Sequence, residues 1–213
     1  MRAELDAWRF DDRYRDAGLT GNPFGGKEHT GGGAMFVTRG LPDPPPSGSA
    51  TLVQVIGEKG AGKTTQLHVW RERNMGPYHY VPPEPYRHRW RPPPVAPIVY
   101  GDEIDRMPWP LRWLWLRRLA ADRATAIIGT HVDLSAIAAG CGLAVVTHRL
   151  EPVDRATLDA IIEARLRGAA RVSAGHLRFR FSDADLHAIH AESGGSIRDA
   201  EVHCHKLLAQ RVH

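Results

Sequence analysis

The sequence predicts an α/β fold, a three-layer αβα arrangement on a parallel sheet of about five strands, with a small all-helical C-terminal piece. Between residues 51 and 150, short β-branched runs alternate with stretches of helical spacing, the order that lays parallel strands side by side under helices on both faces. From Pro152 onward only helical patterns remain. The first strand joins the first helix through a glycine-rich loop, GEKGAGKTT at 57–65.

Residues 1–50 begin with a charged amphipathic stretch. They then turn rich in glycine and proline through TGNPFGGKEHTGGG and LPDPPPSGSA, a composition of loops and extended backbone. AMFVT at 34–38 interrupts this as a short strand. TLVQVI at 51–56 has the length and branching of a buried strand. Lys63–Arg73 reads as a helix, with Leu67 and Trp70 three apart and Asn74-Met75-Gly76 as its stop. YHYV at 78–81 is the second strand. The proline-dense 82–97 connection that follows is not helical, and its RHRWR at 87–91 is the most basic short run in the chain. IVYGD at 98–102 is the third strand, PLRWLWLRRLAAD at 110–122 a helix, and AIIGT at 126–130 the fourth strand. LSAIAAG at 134–140 is a short helix and LAVVTHRL at 143–150 the fifth strand. In the C-terminal piece Asp154, Ser182 and Ser196 are placed to cap three helices. The expected divisions are 1–50, a core at 51–150 and a helical lid at 151–213, with no internal repeat.

Composition narrows the function classes. At 213 residues, 42% hydrophobic and 24% charged, the chain holds one substantial core with a small appendage. No apolar run approaches the roughly 18 to 20 residues that span a bilayer. The charged N-terminus lacks the apolar stretch of a secretory signal, so no membrane partner and a cytoplasmic location are expected. The only two cysteines, Cys141 and Cys204, read as small core residues, too few for a disulfide framework. HCH at 203–205 on a helix points its side chains to different faces, which disfavours a metal site. A formal net charge of +4 favours an anionic partner: nucleotide, nucleic acid or acidic protein.

The chemistry centres on two motifs. GEKGAGKT matches G-x-x-x-x-G-K-T with Gly57, Gly62, Lys63 and Thr64, between a strand and a helix. In that context the backbone N–H groups of Gly57, Glu58, Lys59, Gly60, Ala61, Gly62, Lys63, Thr64 and Thr65 are expected to surround phosphate oxygens at a helix N-terminus. Lys63 would reach the β- and γ-phosphates of ATP, and Thr64 would place its hydroxyl on Mg²⁺. The second motif, IVYGDEID at 98–105, is an apolar strand ending in paired acids. Asp102, at the carboxyl end of its strand, is the expected water-mediated partner of Mg²⁺. Glu103 is placed to orient or deprotonate the attacking water. Asp105 either supports Glu103 or caps the following turn.

These residues resemble the AAA+ branch of P-loop ATPases over roughly 50–213, through GEKGAGKT, the DE of IVYGDEID, the strand AIIGTH, and GGSIRDAE opening the last helix. The resemblance implies that Thr130 or His131 positions the attacking water as sensor 1; the family often has asparagine after the threonine, where His131 stands. It implies that Arg198 is the sensor 2 arginine, reaching from the lid to the γ-phosphate and coupling nucleotide state to lid position. GNPFG at 21–25 resembles the motif that abuts adenine in several such ATPases; the same residues also read as a turn and a core anchor. VDLSAIAAGCGLAVVT contains no arginine, so the arginine finger expected there is missing. Arg149 is the nearest candidate, with Arg112, Arg117 and Arg118 on the preceding helix. Since a finger supplies about 10³ to 10⁵ in rate, slow basal turnover is expected.

The function these readings imply is a Mg²⁺-dependent ATP hydrolase acting as a switch, compact and regulatory, coupled to a protein or nucleic-acid partner. Its alternatives are a module that holds ATP with little turnover and a small-molecule phosphotransferase. The Trp- and Arg-rich helix at 109–120 is the candidate protein-docking face, RHRWR the candidate DNA or RNA contact, and a homo-oligomer remains open.

Overall fold

In the computed structural model, the described residues are Tyr14, 16–24, Val37, 39–84, Tyr86, 91–170 and 178–212. The charged stretch at 1–13, the strand expected at 34–38 apart from Val37, and RHRWR apart from Arg91 lie outside them. The chain forms two compact units, Thr38–Glu151 and a second made of Met1–Val37 with Pro152–His213. The glycine- and proline-rich N-terminal region is thus divided between them, where the sequence suggested one segment.

The first unit is an α/β domain. β1 (Thr51–Gly57) leads into α1 (Lys63–Arg73), then β2 (Tyr78–Tyr80), β3 (Ile98–Asp102), α2 (Trp109–Ala121), β4 (Thr125–Thr130), α3 (Ser135–Gly140) and β5 (Ala144–Leu150). All strand pairs are parallel, in the order β2-β3-β4-β1-β5. The central position of β1 explains its unbroken apolar run, since it is covered on both faces. Side-chain alternation divides the core. Val53, Val55, Tyr100 and Ile127 meet Leu67 and Trp70 of α1 on one face; Leu52, Val99, Ala126 and Ile128 meet Trp115, Leu116 and Leu119 of α2 on the other. Gln54 is the exception, a fully buried amide within β1.

The second unit contains α4 (Arg155–Gly168), α5 (Asp183–Ser193) and α6 (Ile197–Arg211). Each begins as its capping residue predicts: Asp154, Ser182 and Ser196 accept from the backbone N–H three residues on, and Ser182 with Asp185 completes a capping box. Leu19 and Phe24 are buried among Leu158, Ile161, Ile162, Ile189 and Leu208. Asn22 accepts from the Phe24 N–H, forming an Asx-type turn that delivers Phe24 onto Phe181, ring centroids 6.0 Å apart. The GNPF residues therefore serve as a turn and core anchor of this unit. The HCH side chains diverge: His203 pairs with Glu192 at 2.9 Å, Cys204 is fully buried, and His205 lies 2.7 Å from Asn22. Cys141 is only half-buried, beside the Leu116 core rather than inside it. Among the described residues, no helix is long and apolar enough to cross a membrane.

Candidate nucleotide site

The 57–65 segment leaves the carboxyl end of β1. Gly57 is the last strand residue, 58–62 form the turn, and Lys63, Thr64 and Thr65 open α1. Gly62 caps the helix at φ 95°, left-handed backbone that a side chain would strain. Glu58 and Lys59 are exposed. Ala61 is buried, its N–H donating to the Glu58 carbonyl and its carbonyl accepting from Arg39 at 3.1 Å.

Lys63 is buried, and its ammonium donates to the loop's own carbonyls, Gly57 O at 2.7 Å and Glu58 O at 3.1 Å. Burial pushes its pKa down, while the charges of Glu103, Asp102, Asp105 and Glu58 oppose the shift.

Asp102 is 1% exposed at the end of β3. Its Oδ2 accepts from the Thr64 hydroxyl at 2.7 Å and from the Tyr78 hydroxyl at 2.9 Å. Its Oδ1 is buried with no hydrogen-bond partner among the described residues. A Cβ at Gly129, the register partner of Asp102 on β4, would lie 2.7 Å from that Oδ1, so glycine is what lets the carboxylate sit there. An unpartnered buried carboxylate oxygen beside a hydroxyl is a donor set suited to hydrated Mg²⁺.

Glu103 follows in left-handed backbone, φ 59° and ψ 38°, which turns the chain into the Ile104–Arg106 3₁₀ turn. Such strain in a non-glycine residue is characteristic of functional positions. Its Oε2 is 3.1 Å from Arg106 Nη2, an ion pair, and 3.1 Å from His131 Nε2, neither contact with the alignment of a hydrogen bond. The His131 ring nitrogens also lie 3.3 and 3.4 Å from Lys63 Nζ. Thr130, one residue earlier, is fully buried, and its hydroxyl is engaged with the backbone of Val132. Asp105 Oδ1 accepts from the His131 N–H at 3.3 Å, so it braces the β4 end rather than capping its own turn.

Two solved structures of RuvB variants from Thermotoga maritima are similar to this chain in overall fold, with TM-scores of 0.51 and 0.50 at 18% identity. The match covers 71% of this chain and 52 to 53% of those, so the chain spans about half their length. The likeness is one of fold, a parallel α/β sheet flanked by helices. No family model matches the sequence. No curated protein matches it either.

Within this fold, the strand order brings the 57–65 loop, Asp102, Glu103, Thr130 and His131 to one end of the sheet, because β4 separates β1 from β3 by a single strand. Arg198 belongs to the helical unit, exposed on the first turn of α6. Burial raises the Glu201 pKa, opposed by Arg165 and Arg198. Arg149 is paired with Asp133 at 3.0 Å. Arg112 donates to the Asp105 carbonyl at 2.9 Å, while Arg117 lies over Trp113.

Two residues that touch the acids carry no signal in the motifs. Tyr78 reads as an ordinary strand residue until β2 is known to pair with β3. Arg106 follows the acidic run as any surface arginine does, yet it holds Glu103 and also donates to Tyr80 Oη and Val81 O.

Proposed function

We propose that this chain binds ATP with Mg²⁺ and hydrolyses it as a nucleotide-dependent switch. The observation that carries the reading is Asp102: buried, bonded to Thr64 of the glycine-rich loop, with its second oxygen unpartnered next to Glu103. In this reading the loop N–H groups and Lys63 bind the phosphates, and Lys63 exchanges its contacts with Gly57 and Glu58 for phosphate oxygens. Thr64 and Asp102 are the residues that would hold Mg²⁺, which when bound neutralises charge on the phosphate oxygens. Glu103 takes the proton of a water that attacks the γ-phosphorus. The bond to the β-phosphate oxygen breaks, releasing ADP and phosphate. His131 supports the reading as the sensor 1 residue better than Thr130, because its imidazole faces Glu103 and Lys63 while the Thr130 hydroxyl is spent on Val132. Arg198 as sensor 2 would transmit nucleotide state to the helices.

A partner surface accompanies the switch on α2. Trp109 and Trp113 stack with centroids 6.5 Å apart, and Trp109 is 61% exposed. With Arg117 over Trp113 and Arg118 also exposed, the face is cationic and aromatic, suited to an acidic protein segment or nucleic acid. A homo-oligomer that supplies an arginine finger from Arg149 would first have to break its pair with Asp133.

The second reading, a module that holds ATP with little turnover, is favoured by one observation: Glu103 is engaged by both Arg106 and His131. Steady-state hydrolysis and ATP binding by wild type and Glu103→Gln, with and without DNA, separate the two. The switch requires that wild type turns over and that the variant binds ATP with kcat lower by about 10² to 10⁴. Equal binding with no turnover in either leaves the static module.

A further inference from the structure

We propose that Tyr78 is a positioning residue for the Asp102 carboxylate, so that it sets how strongly Mg²⁺ tightens nucleotide binding; this rests on the nucleotide-site reading above. The Tyr78 hydroxyl donates to Asp102 Oδ2 at 2.9 Å, the same oxygen that accepts from Thr64 at 2.7 Å. Two donors on one oxygen fix the rotation of a carboxylate. With Oδ2 so held, Oδ1 is turned toward Gly129 and is the oxygen left without a partner among the described residues.

The tyrosine is itself held in place. β2 pairs in parallel with β3, Tyr80 opposite Asp102 and Tyr78 opposite Tyr100, which sets Tyr78 beside the acid-bearing strand. Its ring stacks on His68 at 4.7 Å and 27°, and the Arg71 guanidinium lies 5.9 Å from its centroid. Both neighbours belong to α1, the helix that begins with Lys63 and Thr64. One ring therefore ties the glycine-rich loop's helix to the carboxylate. Burial, then the charge and hydrogen bond of Asp102, push the Tyr78 pKa well above that of a free phenol.

A purely structural hydroxyl would stabilise the buried acid and affect nucleotide affinity alike with and without Mg²⁺. A positioning hydroxyl acts on the Mg²⁺-dependent part alone. Tyr78→Phe keeps the ring between its neighbours and removes one oxygen. Fluorescence titration with N-methylanthraniloyl-ADP, in magnesium chloride and in EDTA, reads both affinities without requiring turnover. The expected result is unchanged affinity in EDTA and a roughly tenfold smaller tightening by Mg²⁺, the size of one lost hydrogen bond to a charged group. The same substitution in an Asp102→Asn background should then change nothing further, and thermal melts of each variant show that the comparison is between folded proteins.

Wild-type tightening by Mg²⁺ that Tyr78→Phe retains in full overturns this inference and leaves the nucleotide site standing. Equal loss of affinity in both media also overturns it, assigning the hydroxyl a structural role. If wild type binds the nucleotide no better with Mg²⁺ than in EDTA, both this inference and the Mg²⁺-nucleotide reading fall.

Discussion

Replacing Gln54 by leucine tests whether the loop after β4 is held from beneath by a buried amide. Gln54 is fully buried in the central strand, with Nε2 2.8 Å from each of Asp133 Oδ1, Ser135 Oγ and Thr147 Oγ1; its two protons serve two of these at a time. Its Oε1 accepts the N–H of buried Leu134 at 2.9 Å. Leucine has a similar volume, so the change removes hydrogen bonds and leaves little cavity. Stranding the Leu134 N–H costs about 1–3 kcal/mol and losing the amide bond to Asp133 about 1.5–3 kcal/mol. Burying leucine in place of the amide returns about 1–2 kcal/mol. The net, about 0.5–5 kcal/mol, lowers the melting temperature by roughly 1–20 °C for a chain of this size. Circular dichroism melts give the answer. The difference should also narrow in acid. The Asp133 carboxyl is held down to about 2 from an ordinary 3.8, first by the Ser135 hydroxyl, then by the Ser135 N–H and Gln54. A depressed folded pKa contributes stability that is present above the unfolded value and lost as pH falls through the folded one. The gap between the two proteins therefore begins to narrow below about pH 4 and keeps narrowing to about pH 2, while the part due to the Leu134 N–H persists. A variant melting at or above wild type at neutral pH would refute the argument, since even the smallest net loss predicts a lower melting temperature.

Three further outcomes follow from other contacts. Gly129→Ala places a methyl 2.7 Å from Asp102 Oδ1, with Lys63 Cβ and Leu67 Cδ1 at 3.5 and 3.4 Å closing the other sides. Overpacking here costs about 1–3 kcal/mol, and Mg²⁺-dependent nucleotide affinity, measured by fluorescence titration, should fall more than affinity in EDTA. Trp70→Ala empties a site 1% exposed beneath α1 and should cost about 3–5 kcal/mol in denaturant unfolding. Asp185 accepts both Arg211 nitrogens at 2.6 Å and closes the capping box with Ser182, and these bonds, Arg211 first, hold its carboxyl well below the usual range. Asp185→Asn should destabilise by about 1–2 kcal/mol at neutral pH, with the deficit shrinking as acid protonates the wild-type carboxyl, as melts across pH would show.

The strands and helices were legible because their signals are local. A run such as TLVQVI can only be buried, Ser182 and Ser196 stand where caps belong, and Pro110 sits in the first turn of α2. The glycine-rich loop and the strand-borne acids were legible for the same reason, since both motifs are contiguous. Tyr78, Arg106 and the Gln54 network were not. Each acts across strands or around a turn, so its role depends on the order β2-β3-β4-β1-β5, which composition and periodicity do not determine. Gln54 also runs against the local rule, a polar residue inside an apolar strand, and reads as a defect until Asp133, Ser135 and Thr147 are seen around it. The tryptophans of α2 show the opposite case: helical spacing separates Trp115 from Trp109 and Trp113, but which face is covered follows only from the sheet.

The sequence predicts slow basal turnover from a missing arginine, and the site's geometry supplies a separate reason. Lys63 is bonded to its own loop, and Glu103 is engaged by Arg106 and His131. Asp102 Oδ1, by contrast, is buried with no hydrogen-bond partner among the described residues. Under the switch reading, a nucleotide reaching this site would have to displace these contacts, so that binding would be opposed at Lys63 and chemistry at Glu103, by different residues. Loss of the Arg106 contact bears on the second alone. Under the switch reading, Arg106→Ala should raise kcat while leaving ATP affinity near wild type, whereas an arginine that merely held the fold would lower both.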